Sequence, residues 1–132
     1  MRNLLIDTNI FLEILLDQEK KEQCKIFLQE NNGLLYISDF SLHSIGVILL
    51  RNNKEDIFSK FTNDVLPGIS IASLSREKYN GVAKIASKYN LDFDDSYQTC
   101  ISMNEGFEII TLDKDFKRVE GLTGVRFLDK KK

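Results

Sequence analysis

Five short apolar runs punctuate this chain: NLLI at 3–6, LLYIS at 34–38, GISIASL at 68–74, FEIIT at 107–111 and VRFL at 125–128. Their lengths suit strands. Most of the sequence between them repeats its apolar residues at helical spacing. Ile10, Phe11, Ile14 and Leu15 begin one stripe, and Cys24, Phe27 and Leu28 continue it after a charged patch, so one broken helix or two fill 9–30. Ser38 and Asp39 suit the N-terminus of a helix whose stripe is Leu42, Ile45, Leu49 and Leu50. Further helices are expected at 54–65, ending at Pro67-Gly68, at 76–89 behind Ser75, and at 95–105 with Gly106 as its C-cap. Strands that alternate with helices throughout predict an α/β fold with a mostly parallel central sheet. No linker or repeat divides the chain, so 1–132 reads as a single domain.

That sheet raises a question about LLIDTNIF at 4–11: a buried run delivers Asp7 straight to the core edge, where a charge needs a partner. Open α/β sheets bind ligands beyond the carboxyl ends of their strands. Asp113 and Asp115, in ITLDKDF, follow the fourth strand, and Asp94 and Asp95, in LDFDDSYQ, open the helix before it. Each has a plainer alternative. Asp94 or Asp95 suits a helix cap, and Asp113 and Asp115 suit a surface turn. Whether the helix start meets Asp7 depends on its direction across the sheet. If the carboxylates meet, they raise one another's pKa unless a cation intervenes. A hard divalent ion such as Mg²⁺ takes a small aspartate cluster and keeps several waters.

Composition narrows the partners. Net charge is −2, so no basic footprint covers the whole chain. Basic residues do gather in 114–132, although Lys130–Lys132 read more simply as a solvated tail. Cys24 and Cys100 lack CxxC spacing and fall in apolar segments, which predicts buried free thiols. No apolar run is long enough to span a membrane, and the first strand leaves no room for a leader, so a cytoplasmic setting is expected.

LLIDTNIF, LDFDDSYQ and IITLDKDF resemble, in order and separation, the motifs of PIN-domain ribonucleases, whose largest group is the VapC-type toxins of toxin–antitoxin pairs. The resemblance spans essentially the whole chain. It implies a three-layer α/β/α sandwich with about five strands and an acidic pocket binding Mg²⁺ or Mn²⁺. It implies RNA as substrate, an antitoxin protein as partner and a homodimer, with Phe11, Leu12, Leu15 and Leu16 as candidate dimer surface. Matched by position, Asp7, Asp95 and Asp113 are the expected metal ligands, and Asp115 joins them as a catalytic residue. Thr111 and Asn9 are expected to support the site, Asn9 by a hydrogen bond to Asp7.

One motif departs. The family usually carries a Glu on the helix after the second strand, where ISDFSLHSIGVIL has Ser44, a poor Mg²⁺ ligand. Asp39, at the start of the same helix, and Glu13, on the first helix, are the acids that could replace it. A catalytically degenerate domain that binds RNA or protein therefore stands beside the ribonuclease. His43 and Ser44 are helix neighbours pointing about 100° apart, which argues against a nucleophilic pair. Gly46 suggests close packing of that helix, against a neighbour or a second subunit. A haloacid-dehalogenase-type phosphatase needs a second Asp where Asn9 stands. A response-regulator receiver needs a first-strand acidic pair and a phosphoacceptor Asp near Ile69–Leu74, and has neither here.

Overall fold

The computed structural model describes residues 2–128. Asp129 and the tail at Lys130–Lys132 lie outside the described residues. Five strands form one sheet: β1 (Leu4–Ile6), β2 (Leu35–Ser38), β3 (Ser70–Ala72), β4 (Glu108–Thr111) and β5 (Gly124–Phe127). Their order is β3-β2-β1-β4-β5, and every neighbouring pair is parallel. Six α-helices connect them: α1 (Thr8–Leu15), α2 (Lys21–Glu30), α3 (Asp39–Arg51), α4 (Glu55–Lys60), α5 (Tyr79–Tyr89) and α6 (Phe93–Glu105). A π-helical turn at Phe61–Val65 prolongs α4, so the helix expected over 54–65 changes its winding half-way.

The pleat sends alternate side chains to opposite faces. Leu4 and Ile6 join Ile10, Phe11, Ile45 and Leu49 in one core, beneath α1 to α4. Leu5 and Ile109 join Val82, Tyr97 and Ile101 in a second core, beneath α5 and α6. The result is a three-layer α/β/α sandwich. Residues of β1 are buried on both faces, which is why LLI reads as an unbroken apolar run.

The four residues that suit either a dimer surface or the core divide between the two kinds of setting. Phe11 is buried, and Leu12, Leu15 and Leu16 pack partly buried against it. Gly46 faces α4: a Cβ there would meet the Phe58 ring at 3.4 Å. That is ordinary van der Waals contact, so α3 lies close to α4 here without requiring a glycine. Cys24 is buried and Cys100 half-buried, both as free thiols.

Local signals fix the helix ends. Ser38 Oγ accepts the Ser41 N–H and caps α3. Asn90 and Gly106 end α5 and α6 in the left-handed region, at φ 55° and 75°. Ser75 stands at the start of a 3₁₀ turn, Arg76–Lys78, without a side-chain cap. Helix α6 begins two residues earlier than expected, because Asp92 is its cap and accepts the Asp95 N–H.

From β1 the chain moves outward to β2 and β3, and from β4 it moves the opposite way to β5. The switch in direction falls between β1 and β4, where such sheets open a crevice at their carboxyl edge. Asp7 and Asp113 follow those two strands. Among the described residues, no helix is long and apolar enough to cross a membrane.

Candidate metal centre

Asp7 leaves β1 with its N–H still bonded to Ile110 O at 2.9 Å, which continues the ladder to β4 and fixes the backbone. Its carboxylate is 2% exposed. Thr111 Oγ1 donates to Oδ2 at 2.7 Å, and Gln98 Nε2 donates to Oδ1 at 2.8 Å. The same Gln98 amide reaches Asp94 Oδ1 at 3.1 Å. Thr111 Oγ1 in turn accepts the Asp113 N–H at 2.9 Å. One buried network thus ties the ends of β1 and β4 to the first two turns of α6.

Helix α6 runs back over the sheet before β4, so its N-terminus lies at the strands' carboxyl edge, and the direction left open by sequence is settled. Two groups of carboxylates result, each with oxygens within 4.8 Å of one another: Asp7, Asp94 and Asp95, and Asp95, Asp113 and Asp115. Asp95 belongs to both.

Burial and crowding act together on these acids. Burial is the main cause of the raised pKa of Asp7, against hydrogen bonds from Thr111 and Gln98 that lower it. Asp95 is pushed up to about 9 by burial first and then by the charge of Asp7. Asp94 is pushed up to about 6 for the same two reasons in the same order. A cation between these oxygens would remove the repulsion. The donor set is all oxygen, which suits Mg²⁺ or Mn²⁺ better than a soft metal. Gln98 Oε1 is buried beside the cluster without a hydrogen-bond partner among the described residues, an acceptor suited to a cation or its water.

The other expected residues distribute unevenly. Asn9 is exposed on the outer side of the first turn of α1, and the hydrogen bonds on Asp7 come from Gln98 and Thr111 instead. Ser44 is half-buried on α3, a helix that supplies no carboxylate to either group. Neither proposed substitute takes its place. Glu13 accepts the Lys20 N–H, and Asp39 accepts the Tyr97 hydroxyl and the Phe40 N–H. Asp94 supplies a further acid from α6. Sequence reasoning gave Asp94 mainly a capping role, which belongs to Asp92, and did not single out Gln98. The spacing held a signal: Gln98 is three residues after Asp95 and four after Asp94, on one helix face.

A family model described as PIN domain matches residues 4–122. Among curated proteins, none matches this sequence. Solved structures share the fold at low identity. A toxin–antitoxin complex from Klebsiella pneumoniae superposes with TM-score 0.76 at 20% identity, covering 98% of this chain and 100% of that one. VapBC2 from Rickettsia felis, bound to a promoter DNA fragment, gives 0.72 at 18%, over 94% and 97% of the two chains. FitAcB from Neisseria gonorrhoeae gives 0.69 at 19%, over 95% and 97%.

Proposed function

This chain belongs to the PIN-domain family, and on that premise we propose that it is a metal-dependent endoribonuclease acting as the toxin of a toxin–antitoxin pair. The observation that carries this reading is the convergence of five aspartates on one sheet edge in two groups sharing Asp95. Asp7, Asp95 and Asp113 would hold Mg²⁺ or Mn²⁺, with Asp115 and Asp94 beside them. Bound there, such an ion lowers the pKa of a water and offsets charge developing at phosphorus. The chain's own part is positional. Gln98 and Thr111 hold the two oxygens of Asp7 in fixed directions, and Asp95 gives up its proton on loading. RNA as substrate, an antitoxin partner, a homodimer and a cytoplasmic setting are parts of the same proposal.

The test is calorimetry of Mg²⁺ and Mn²⁺ on the wild type and Asp7→Asn, followed by RNA cleavage with antitoxin-free protein. Binding and cleavage that both vanish in Asp7→Asn are the expected result. A folded wild type that cuts no RNA with either metal would sink the proposal. Ser44 favours one second reading, a degenerate domain that binds RNA or protein without cutting. Ser44→Glu separates the two: under the second reading, activity is present only in that variant.

A further inference from the structure

One surface feature lies outside that chemistry. Phe40, Tyr79 and Phe93 are 37%, 44% and 48% exposed, and all three rest on buried Tyr97. Phe93 stacks on Tyr97 with centroids 5.6 Å apart, and Phe40 meets Phe93 edge-on at 5.3 Å. With Asp39 and His43 these rings line a shallow cavity of about 210 Å³.

We propose that this patch is a stacking platform that holds an unpaired nucleobase of the substrate RNA beside the carboxylates. The inference rests on the ribonuclease reading and deepens it. Its first support is continuity with the site. Phe93 immediately precedes Asp94, and Phe40 immediately precedes Ser41. Thr8 Oγ1 lies 2.7 Å from Ser41 Oγ and 3.4 Å from Asp94 Oδ2, so one side chain bridges the two regions. In this proposal a phosphate sits at the aspartates and a nearby base of the same strand on the rings.

Chemistry supports it next. Unpaired bases bind by stacking on aromatic faces, with their edges read by hydrogen bonds. Asp39 Oδ1 accepts from Tyr97 Oη at 2.7 Å and from the Phe40 N–H at 2.9 Å, while Oδ2 has no protein donor among the described residues. A carboxylate only accepts, so it suits an N–H on a base edge, the exocyclic amine of adenine, cytosine or guanine or the N3–H of uracil, and leaves purine over uracil to be set by stacking strength. Arg76 and Lys78 are exposed in the turn that delivers Tyr79, where they can meet phosphates. Area also argues against a second copy of this chain. Three half-exposed rings offer roughly 300 Å², taking about 200 Å² for each whole ring. A stable interface takes about 800 Å² per partner.

The probe is a short unstructured oligoribonucleotide carrying one 2-aminopurine, with Ca²⁺ replacing Mg²⁺ to slow cleavage. Wild type and Phe93→Tyr should bind it and quench its fluorescence. Phe93→Ala and Phe40→Ala, checked for folding by thermal melting, should bind roughly fivefold or more weakly and quench less. Under Mg²⁺ the loss should fall on KM and spare kcat. Replacing the purine at that position with uracil should weaken wild-type binding. Alanine variants that quench like wild type while RNA is still cut would overturn the platform and leave the ribonuclease standing. The same holds if those variants turn a dimer into a monomer in sedimentation with RNA affinity intact, which assigns the patch to a second copy. A wild type that neither binds nor cuts RNA overturns both readings together.

Discussion

The two carboxylate groups share Asp95 and differ in almost everything else. In the inner group Asp7 and Asp95 are buried, Asp94 is half-buried, and Gln98 and Thr111 hold Asp7 from two sides. In the outer group Asp113 is half-buried and Asp115 exposed, with Asp115 paired to Arg118 at 3.3 Å. Water and the Arg118 guanidinium, which also donates to Asn90 O, already screen Asp115. Hydrogen bonds from Gln98 and Thr111 offset only part of the burden on the inner acids, and a proton or a cation would relieve the rest. In the proposed metal site the inner acids are therefore the ones whose removal should cost most.

The largest test of that difference removes an inner acid. Asp7→Asn and Asp95→Asn should each weaken Mn²⁺ binding by a hundredfold or more in calorimetry. Asp95→Asn should also raise the melting temperature of the metal-free protein by several degrees, because it deletes a crowded buried acid. A melting temperature that falls instead would mean that repulsion is not what burdens the inner group.

Protons come next. The folded pKa of Asp95, about 9, lies above the ordinary 3.8. The folded state therefore binds the extra proton between those values. This stabilising contribution is complete below about pH 4 and is lost as pH rises towards 9. Denaturant melts of the metal-free protein should show that decline. Metal must displace the same proton, so affinity should climb by up to about tenfold per pH unit between roughly 6 and 9. Flat profiles in both experiments would break the argument.

Gln98→Met keeps the volume and removes the amide between Asp7 and Asp94. Loss of such an orienting partner typically costs 10–100-fold in metal affinity. The smallest effect is expected in the outer group. Asp115→Asn should change metal affinity only a few-fold, and added salt should shrink the difference further, because its charge is exposed. An Asp115→Asn loss as large as that of Asp7→Asn would erase the distinction between the groups.

Much of the fold could be read in advance because its signals are local. The strand LLI, the Asn90 and Gly106 helix ends and the Ser38 cap each depend on a few adjacent residues. Departures also have local causes, such as Asp92 capping α6 ahead of the acids behind it. The site is harder to read because it is assembled across long separations. Asp7, Asp95, Asp113 and Asp115 stand out as acids beside apolar runs, and the geometry brings them together. Gln98 does not stand out, since a glutamine inside a helix carries no sign of what it faces. Asn9 misleads for the opposite reason. It lies two residues from Asp7, but the first turn of α1 rotates it towards solvent. The further acid beside Asp7 and Asp95 is invisible until α6 is placed, because Asp94 reads as a helix cap.

The pairing of β1 with β4 also sets a timetable. Asp7 is made well before the strand that locks it, Glu108–Thr111. Until that late strand adds to the middle of the sheet, Thr111 and Asp113 are missing, and β1 has β2 as its sole neighbour. Contacts of such long sequence separation form slowly, after local helices. A chain still emerging from the ribosome thus carries Asp7 without a site around it. Whatever this pocket does, it cannot begin until β4 has been made and has joined the sheet.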